Sequence, residues 1–322
     1  LDALGPAAQK GLFASLGRAV DDEGHGRFRG AALAHIDAVA AARQSTHPDA
    51  PLVAWYAANH LITLRGSFAN LWAQARDVVL LALDHPGHIG WRARSELVEW
   101  WTLDGFREAL PAANAAATGD GKGKESERAP GLLEMAAQKY GCVEKARVAG
   151  PFGHLSAPSH RVHYEAERAG PWPAIFPRDP RRLKPPRQLP TERTGCAIRG
   201  VGASGGGIFY VETFIDLPAD RELIIAAQSA LALFVDDVEV LTRDTRQWGI
   251  WPRFGARLRL EAGRHRILAR VAGPESSIRL LGNDGSPLDL KGSDDPAPPY
   301  SIKPPVVLAD PNLLDPFLTE LG

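Results

Sequence analysis

The sequence predicts a multidomain α+β protein in which helical hairpins precede an antiparallel β-sandwich. Apolar residues recur at helical spacing in the first third of the chain, and short β-type runs separated by Gly, Pro and Asp begin after Cys142. The 322 residues suit two domains better than one. We expect a helical-hairpin domain at 1–110, a flexible linker at 111–130, a short helix at 131–141, a β-sandwich at 142–291, and a proline-rich tail with the start of a further helix at 292–322.

Composition and charge exclude several functional classes. Hydrophobic residues make up 44% and charged residues 23% of the chain, which is an ordinary globular balance. The formal net charge of −1 gives no general attraction to nucleic acid or to a membrane surface. No stretch approaches the roughly 20 apolar residues of a membrane span. We therefore expect no nucleic-acid partner and no transmembrane segment, and we expect the native N-terminus to precede Leu1.

The helical domain is predicted from periodicity and capping residues. From Phe28 onward, apolar residues recur at helical spacing. The run 50–65 follows Asp49, a suitable N-cap, and ends before Gly66, a suitable C-cap. Two more helices are expected at 68–83 and 91–101. Short connections between such helices favour antiparallel hairpins, whose stacking would give a solenoid-like domain.

The β domain is predicted from short runs with alternating side chains. In the last core run, Ile267, Ala269 and Val271 should face one side, and Leu268 and Arg270 the other. Phe209, Val211, Phe214 and Leu217 could all point inward only with a β-bulge. Residues 150–206 are expected to form a long, irregular, proline-rich excursion. The predicted strands are Val143–Ala149, Gly207–Leu217, Glu222–Ala227, Ala230–Val235, Val238–Thr242, Arg257–Glu261, His265–Val271 and Ser277–Leu281.

Two turns and two cysteines constrain this domain. Asp236 and Asp237 suit a tight hairpin turn, and residues 261–264 suit a second one. Cys142 and Cys196 are either two free thiols or a disulfide. A disulfide would require an oxidising compartment. The expected location would then be outside the cytoplasm, in the periplasm or on a lipoprotein anchor.

Three segments of the β domain carry a resemblance to a known family. They are VAGPF at 148–152, GIFYVETFIDLPAD at 207–220, and the pair LALFVDDVEV and RLRLEAGRHRILARV at 231–240 and 257–271. They resemble the strands of galactose-binding-like or PA14-like jelly-roll modules, which implies a jelly-roll-like sandwich. Calcium-binding PA14 lectins carry a paired-aspartate strand at the position that here reads AAQSA, residues 226–230. The whole chain resembles large bacterial proteins with tetratricopeptide-like repeats, some of which carry a transglutaminase-like domain.

The glycine loop GVGASGGG at 200–207 matches both a dinucleotide-binding pattern and the G-x-S-x-G pattern around Ser204. Both chemistries need a helix after the loop, and this loop leads into a β-type run, so a plain glycine loop is predicted.

His154, His160 and His163 lie within ten residues beside Glu165 and Glu167, but no regular spacing fixes a metal geometry. The basic run at 178–187 is expected to be a solvated loop. We expect no cofactor, no metal and no catalytic residue.

Aromatic loop residues are the candidate ligand-binding residues. Large aromatics in loops either plug the core or form a platform for a ligand, and neighbouring arginines suit carboxylate or hydroxyl groups. The candidates are Trp172, Trp248, Trp251, Arg246 and Arg253, with Arg178 nearby.

Three functions are consistent with these patterns. The first is a noncatalytic protein that binds protein partners through its helical repeats, with the β-sandwich as an accessory module. The second is a carbohydrate-binding module in which the tryptophans stack on sugar rings. The third is the noncatalytic N-terminal part of a transglutaminase-like enzyme.

Overall fold

The computed structural model describes residues 12–64, 77–78, 140–154, 156–178, 183–194, 196–203, 206–228, 230–242, 255–283 and 286–308. Its long helices and its strands fall in two compact units. This is an α+β arrangement, as the sequence predicts. None of the helices in these residues is long and apolar enough to cross a membrane. The predicted linker at 111–130 and the predicted helix at 91–101 lie outside the described residues, as do residues 131–139 of the predicted helix at 131–141 and all but residues 77–78 of the predicted helix at 68–83.

The helical unit contains α1 (Leu12–Gly24), α2 (Phe28–Gln44) and α3 (Ala50–Thr63). Helix α2 packs against both α1 and α3. Alanines dominate its buried face, together with Ile36 and Val39, so the helices approach closely. Trp55 of α3 is buried, which fits the packing role expected for the helical tryptophans. Phe28, predicted on the apolar face, is instead half exposed because it is the first residue of its helix.

The β unit contains thirteen strands within the described residues, together with a short helix α4 (Ala157–His160) and a 3-10 turn (Glu165–Glu167). The strands are β1 (Arg147–Phe152), β2 (Arg187–Leu189), β3 (Thr191–Thr194), β4 (Ala197–Gly200), β5 (Ile208–Leu217), β6 (Arg221–Ala227), β7 (Ala230–Val235), β8 (Val238–Thr242), β9 (Gly255–Leu260), β10 (Gly263–Val271), β11 (Glu275–Ser276), β12 (Ile278–Leu281) and β13 (Val306–Val307).

All of the strand pairings are antiparallel, and they form three sheets. The six-stranded sheet has the order β2-β1-β5-β10-β7-β8, the four-stranded sheet β12-β6-β9-β13, and the three-stranded sheet β11-β4-β3. The main hydrophobic core takes Val211, Ile215 and Ile267 from the six-stranded sheet. It takes Leu223 and Leu258 from the four-stranded sheet. The two sheets therefore share one core.

Strand β5 does not meet the condition under which the sequence would require a β-bulge, because Phe214 does not join Phe209, Val211 and Leu217 in the main core. The pairing of β5 with β10 runs without interruption from Leu217 to Phe209. Phe209, Val211 and Leu217 lie in the main core, while Phe214 faces the other side and contacts the Tyr300 ring, with 5.8 Å between ring centroids. No irregularity is needed, because both faces of β5 are buried.

The predicted irregular excursion at 150–206 is wrong. Strands β2, β3 and β4 lie within it, and residues 162–176, here called the cover segment, pack on the outer face of the six-stranded sheet. A second hydrophobic core forms there around Tyr164, Trp172 and Phe176 of the cover segment and Tyr210 and Leu268 of the sheet. Such covering explains why the strands beneath are apolar on both faces.

The two predicted turns are confirmed. Asp236 and Asp237 join β7 to β8 with φ of 49° and 65°, the left-handed pair that a type I′ hairpin requires. Residues 261–262 join β9 to β10, and Gly263 has a φ of 132°. The predicted division of β10 into two faces also holds, since Ile267, Ala269 and Val271 lie in the main core and Leu268 in the second.

Candidate functional site

The sequence-predicted ligand residues fall mostly outside the described part of the chain. Trp248, Trp251, Arg246 and Arg253 all lie there. Trp172 is 6% exposed, and its indole N–H donates a 2.9 Å hydrogen bond to the carbonyl of Ala166. The guanidinium of Arg147 lies 4.9 Å from the centre of its ring. Trp172 is therefore a packing residue of the second core, and a sugar could reach its ring only if the cover segment moved.

The glycine loop is not followed by a helix. Strand β4 ends at Gly200 and β5 begins at Ile208, so the loop joins two strands. This confirms that it lacks the helix N-terminus on which both phosphate binding and a nucleophile elbow depend. Ser204 itself lies outside the described residues. In the basic run at 178–187, Arg178, Lys184 and Arg187 are exposed, as expected for a solvated loop.

Cys142 and Cys196 form a disulfide across 54 residues. Cys142 precedes β1, and Cys196 immediately precedes β4. Because β3 and β4 belong to the segment predicted to be irregular, the bond fastens that segment to the start of the β unit. Of the two pairing states left open by the sequence, the structure contains the bridged one.

A buried network of ion pairs joins the cover segment to the six-stranded sheet. Glu212 of β5 is fully buried and accepts hydrogen bonds from Arg147 at 2.8 Å and from Arg266 at 2.7 Å. Arg266 also donates to Asp237 and to the carbonyls of Ala166 and Arg168. Burial alone would lower the pKa of Arg266, but the two carboxylates outweigh it and raise that pKa. Arg266 therefore stays charged and binds the backbone of the cover segment.

A second buried ion pair involves Arg270, which lies four residues after Arg266 on β10 and on the same face of the strand. Arg270 pairs with Glu167, donates to the Tyr210 hydroxyl at 3.1 Å, and donates to the carbonyl of Val162 at 3.3 Å. The Tyr210 hydroxyl donates to Glu167. Burial raises the pKa of Tyr210 well above 10, so the phenol stays neutral. These groups are engaged in holding the cover segment, which is a structural role.

His265 belongs to the β unit, and its two hydrogen bonds favour the charged form of its side chain. Its Nδ1 lies 2.7 Å from Asp236 Oδ2 and its Nε2 lies 2.8 Å from the carbonyl of Glu261. Both partners only accept hydrogen bonds, so both ring nitrogens must donate, as they do in imidazolium. Burial lowers the pKa of His265, but the bonds to Asp236 and Glu261 outweigh this effect and raise it above 6.5.

Of the three histidines at 154–163, the side chains of His154 and His163 are described, and no group of three metal-ligating side chains forms around them within the described residues. His163 pairs with Glu167 through its Nδ1 at 2.7 Å. His154 uses its backbone N–H to bind Ser159 Oγ at 3.3 Å. The side chain of His160 lies outside the described residues.

Within the described residues, three metal-ligating side chains converge in the helical unit. Glu23 of α1, His35 of α2 and His60 of α3 hold their ligating atoms within 4.8 Å of one another. His35 Nε2 lies 2.7 Å and His60 Nδ1 lies 3.0 Å from the same oxygen, Glu23 Oε1. The two imidazole rings stack with 5.1 Å between centroids, and Tyr56 lies 4.3 Å from His60.

The electrostatics of this group follow from uneven burial. His35 is fully buried, and its Nδ1 has no hydrogen-bond partner. Burial lowers the pKa of His35, and the bond to Glu23 offsets this only in part. For Glu23, burial raises the pKa, but the bonds to His35 and His60 outweigh it and lower that pKa below 4.5. A neutral imidazole and an ionised carboxylate therefore share one site.

Sequence reasoning missed this group because nothing local marks it. Its members stand 12 and 25 residues apart, one on each of three helices. Motifs that reveal metal ligands depend on short, fixed spacings. Only the packing of α1, α2 and α3 brings these residues together. No protein-family model matches the chain, and neither a curated protein nor a solved structure is similar to it at a significant level.

Proposed function

We propose that this chain is a noncatalytic binding and scaffolding part of a larger bacterial protein. In this proposal the helical hairpins bind a protein partner, and the β unit is a jelly-roll-like sandwich that serves as an accessory module. The main core supports the sandwich, because the six-stranded and four-stranded sheets both contribute to it.

The observation that carries the proposal is the apolar surface of α1, α2 and α3. Large apolar side chains are 37% to 51% exposed there, although the same helices bury most of their alanines. On α3, Leu52 and Tyr56 are four residues apart and so lie on one face. Exposed apolar rows of this kind mark surfaces that bind another protein. The residues are Phe13, Val20, Phe28, Leu33, Leu52 and Tyr56.

The β unit supports the noncatalytic part of the proposal. Within the described residues, six of its buried ionisable side chains form three pairs: Glu212 with Arg266, Glu167 with Arg270, and Asp236 with His265. Each pair holds a turn or the cover segment in place. A catalytic acid or base must instead be able to reach a substrate.

Site-specific photo-crosslinking tests the proposal. The crosslinking amino acid benzoyl-phenylalanine is placed at Leu52 of the full-length protein in its own cells, with Asp37, an exposed polar residue of α2, as the matched control position. We expect a crosslinked adduct of one defined mass from Leu52 and none from Asp37. Val20→Asp should weaken the adduct if α1 contributes to the same surface. Equal adducts from both positions, or none from either, would contradict the proposal.

The carbohydrate-binding alternative makes a different prediction. A glycan array probed with the purified chain should then show binding that Trp248→Ala and Trp251→Ala abolish. Trp172→Ala is not a usable variant in that test, because Trp172 is a core residue and its loss would unfold the cover segment. A positive array would make sugar binding, rather than an accessory role, the function of the β unit.

A further inference from the structure

We propose that Glu23, His35 and His60 bind one divalent transition-metal ion, with Zn²⁺ as the best-matched ion, and that this ion cross-links α1, α2 and α3. The site borders the apolar surface on which the proposed function rests, because the Tyr56 ring of that surface lies 4.3 Å from the His60 ring between centroids, but it shares none of its three ligands with that surface. Two imidazoles and one carboxylate are a ligand set that zinc proteins use with a fourth position left for water or another ligand.

The distances fit such an ion after small movements. Zinc binds imidazole nitrogen at about 2.0–2.1 Å and carboxylate oxygen at about 2.0–2.2 Å, which places tetrahedral ligand atoms about 3.3–3.4 Å apart. Glu23 Oε1 lies 2.7 Å from His35 Nε2 and 3.0 Å from His60 Nδ1, and all ligating atoms lie within 4.8 Å. The oxygen–nitrogen separations must therefore widen by about 0.3–0.7 Å.

The surroundings of the site favour one ion with access to solvent. The His35 side chain is fully buried, so packing fixes one ligand before an ion arrives. The side chains of Glu23 and His60 are 24% and 30% exposed, which leaves an open side for the ion to enter and for a water ligand. Each ligand comes from a different helix, so one ion would restrain the whole helical unit.

Softness of the ligands sets the expected selectivity. Imidazole nitrogen suits Zn²⁺, Co²⁺, Ni²⁺ and Cu²⁺, whereas Mg²⁺ and Ca²⁺ prefer oxygen ligands throughout. The group offers two nitrogens and only one carboxylate. We therefore expect binding of the transition metals and none of Mg²⁺ or Ca²⁺ at this site.

The test uses the full chain after chelator treatment and dialysis, titrated with Zn²⁺ in a calorimeter. We expect one Zn²⁺ per chain, with hydrogen exchange slowed in residues 12–64. His60→Ala and Glu23→Gln should weaken Zn²⁺ binding by about 100-fold or more, since losing even a partner of a ligand costs 10- to 100-fold. His25→Ala, which removes an exposed histidine of the same unit, should bind Zn²⁺ like the unaltered chain.

Two further measurements keep the result unambiguous. Hydrogen exchange of the metal-free variants shows whether they fold, and His60→Ala is preferred to a change at buried His35 for this reason. Co²⁺ added in place of Zn²⁺ should give visible absorption bands of a tetrahedral site, and Glu23→Gln should change them. Absence of one-to-one Zn²⁺ binding overturns the proposal, as does a folded His60→Ala chain that binds Zn²⁺ with unchanged affinity.

Discussion

Two buried histidines, one in each unit, lie beside a carboxylate that raises their pKa, yet the net pKa shifts of the two run in opposite directions. Both His35 and His265 are at most 2% exposed. His35 reaches one acceptor, Glu23, and leaves Nδ1 without a partner, so burial prevails and the pKa falls. His265 reaches Asp236 and the Glu261 carbonyl with its two nitrogens, so the two bonds outweigh burial and the pKa rises.

The second acceptor at His265 is what distinguishes these two histidines, since both are deeply buried. His265 is an imidazolium whose nitrogens are both occupied, so it has no lone pair for a metal. His35 favours the neutral form, which keeps a lone pair on one nitrogen. The reason to look for a metal in the helical unit is geometric, since Glu23, His35 and His60 converge there, whereas both nitrogens of His265 already bind acceptors.

The largest effect is expected from removal of the disulfide. It should destabilise the β unit and not the helical unit, because both cysteines belong to the β unit. Cys142→Ser with Cys196→Ser should lower the unfolding free energy of the β unit by about 4 kcal/mol, which is the chain-entropy value for a loop of this length. Hydrogen exchange measured by mass spectrometry reports each unit separately. Residues 12–64 should exchange at an unchanged rate, and a parallel loss in both units would contradict this prediction.

A smaller effect is expected from the ion pairs of the β unit. Glu212→Gln removes the charge shared by Arg147 and Arg266, and we expect a loss of about 3 kcal/mol. This is the lower end for breaking a buried pair, because Arg266 keeps Asp237. The measurement is urea unfolding of the full chain. Lys303→Ala breaks a surface pair with Glu261 and should leave the unfolding midpoint unchanged.

The smallest effect tests the histidine comparison directly, through opposite responses to pH. The pKa of His265 is raised above 6.5, so its stabilisation is complete below pH 6.5 and is lost as the pH rises through the folded pKa. The pKa of His35 is lowered, so its stabilisation is complete above pH 6.5 and is lost as the pH falls through the folded pKa. The β unit should therefore weaken toward alkaline pH and the helical unit toward acid pH.

Unit-specific hydrogen exchange, corrected for the intrinsic effect of pH, measures these two responses. His265→Gln should remove the alkaline loss in the β unit alone. His154→Ala, which removes an exposed histidine of the β unit, should leave both responses unchanged. If both units weakened in the same direction, the contrast between one acceptor and two would be wrong.

Most strands of the β unit could be predicted, because their signal is local. Ala230–Val235 and Val238–Thr242 match the prediction residue for residue, since Asp236 and Asp237 mark the turn between them. Strands β2, β3 and β4 could not be predicted, because proline and charge obscure their pairing, which joins β2 to β1, β3 to β4, and β4 to β11. A strand buried on both faces, such as β5, lacks the alternation from which its register would be read.

The sequence did not reveal the ion pairs of the β unit or the group formed by Glu23, His35 and His60. Arg266 and Arg270 alternate with apolar residues in β10, and this pattern usually indicates a solvent-facing side. They are buried because the cover segment lies over that face, and a chain 100 residues away in sequence cannot be inferred from local spacing. The convergence of Glu23, His35 and His60 has the same cause.

The pairing of β13 with β9 has a practical consequence for anyone who divides this protein for expression. A boundary drawn at residue 291, where the sandwich pattern ends in the sequence, would remove Val306 and Val307 and leave the outer backbone of β9 without its neighbour. An unprotected strand of that kind recruits other chains and leads to aggregation. A fragment that keeps residues up to 308 retains β13, which pairs with that side of β9.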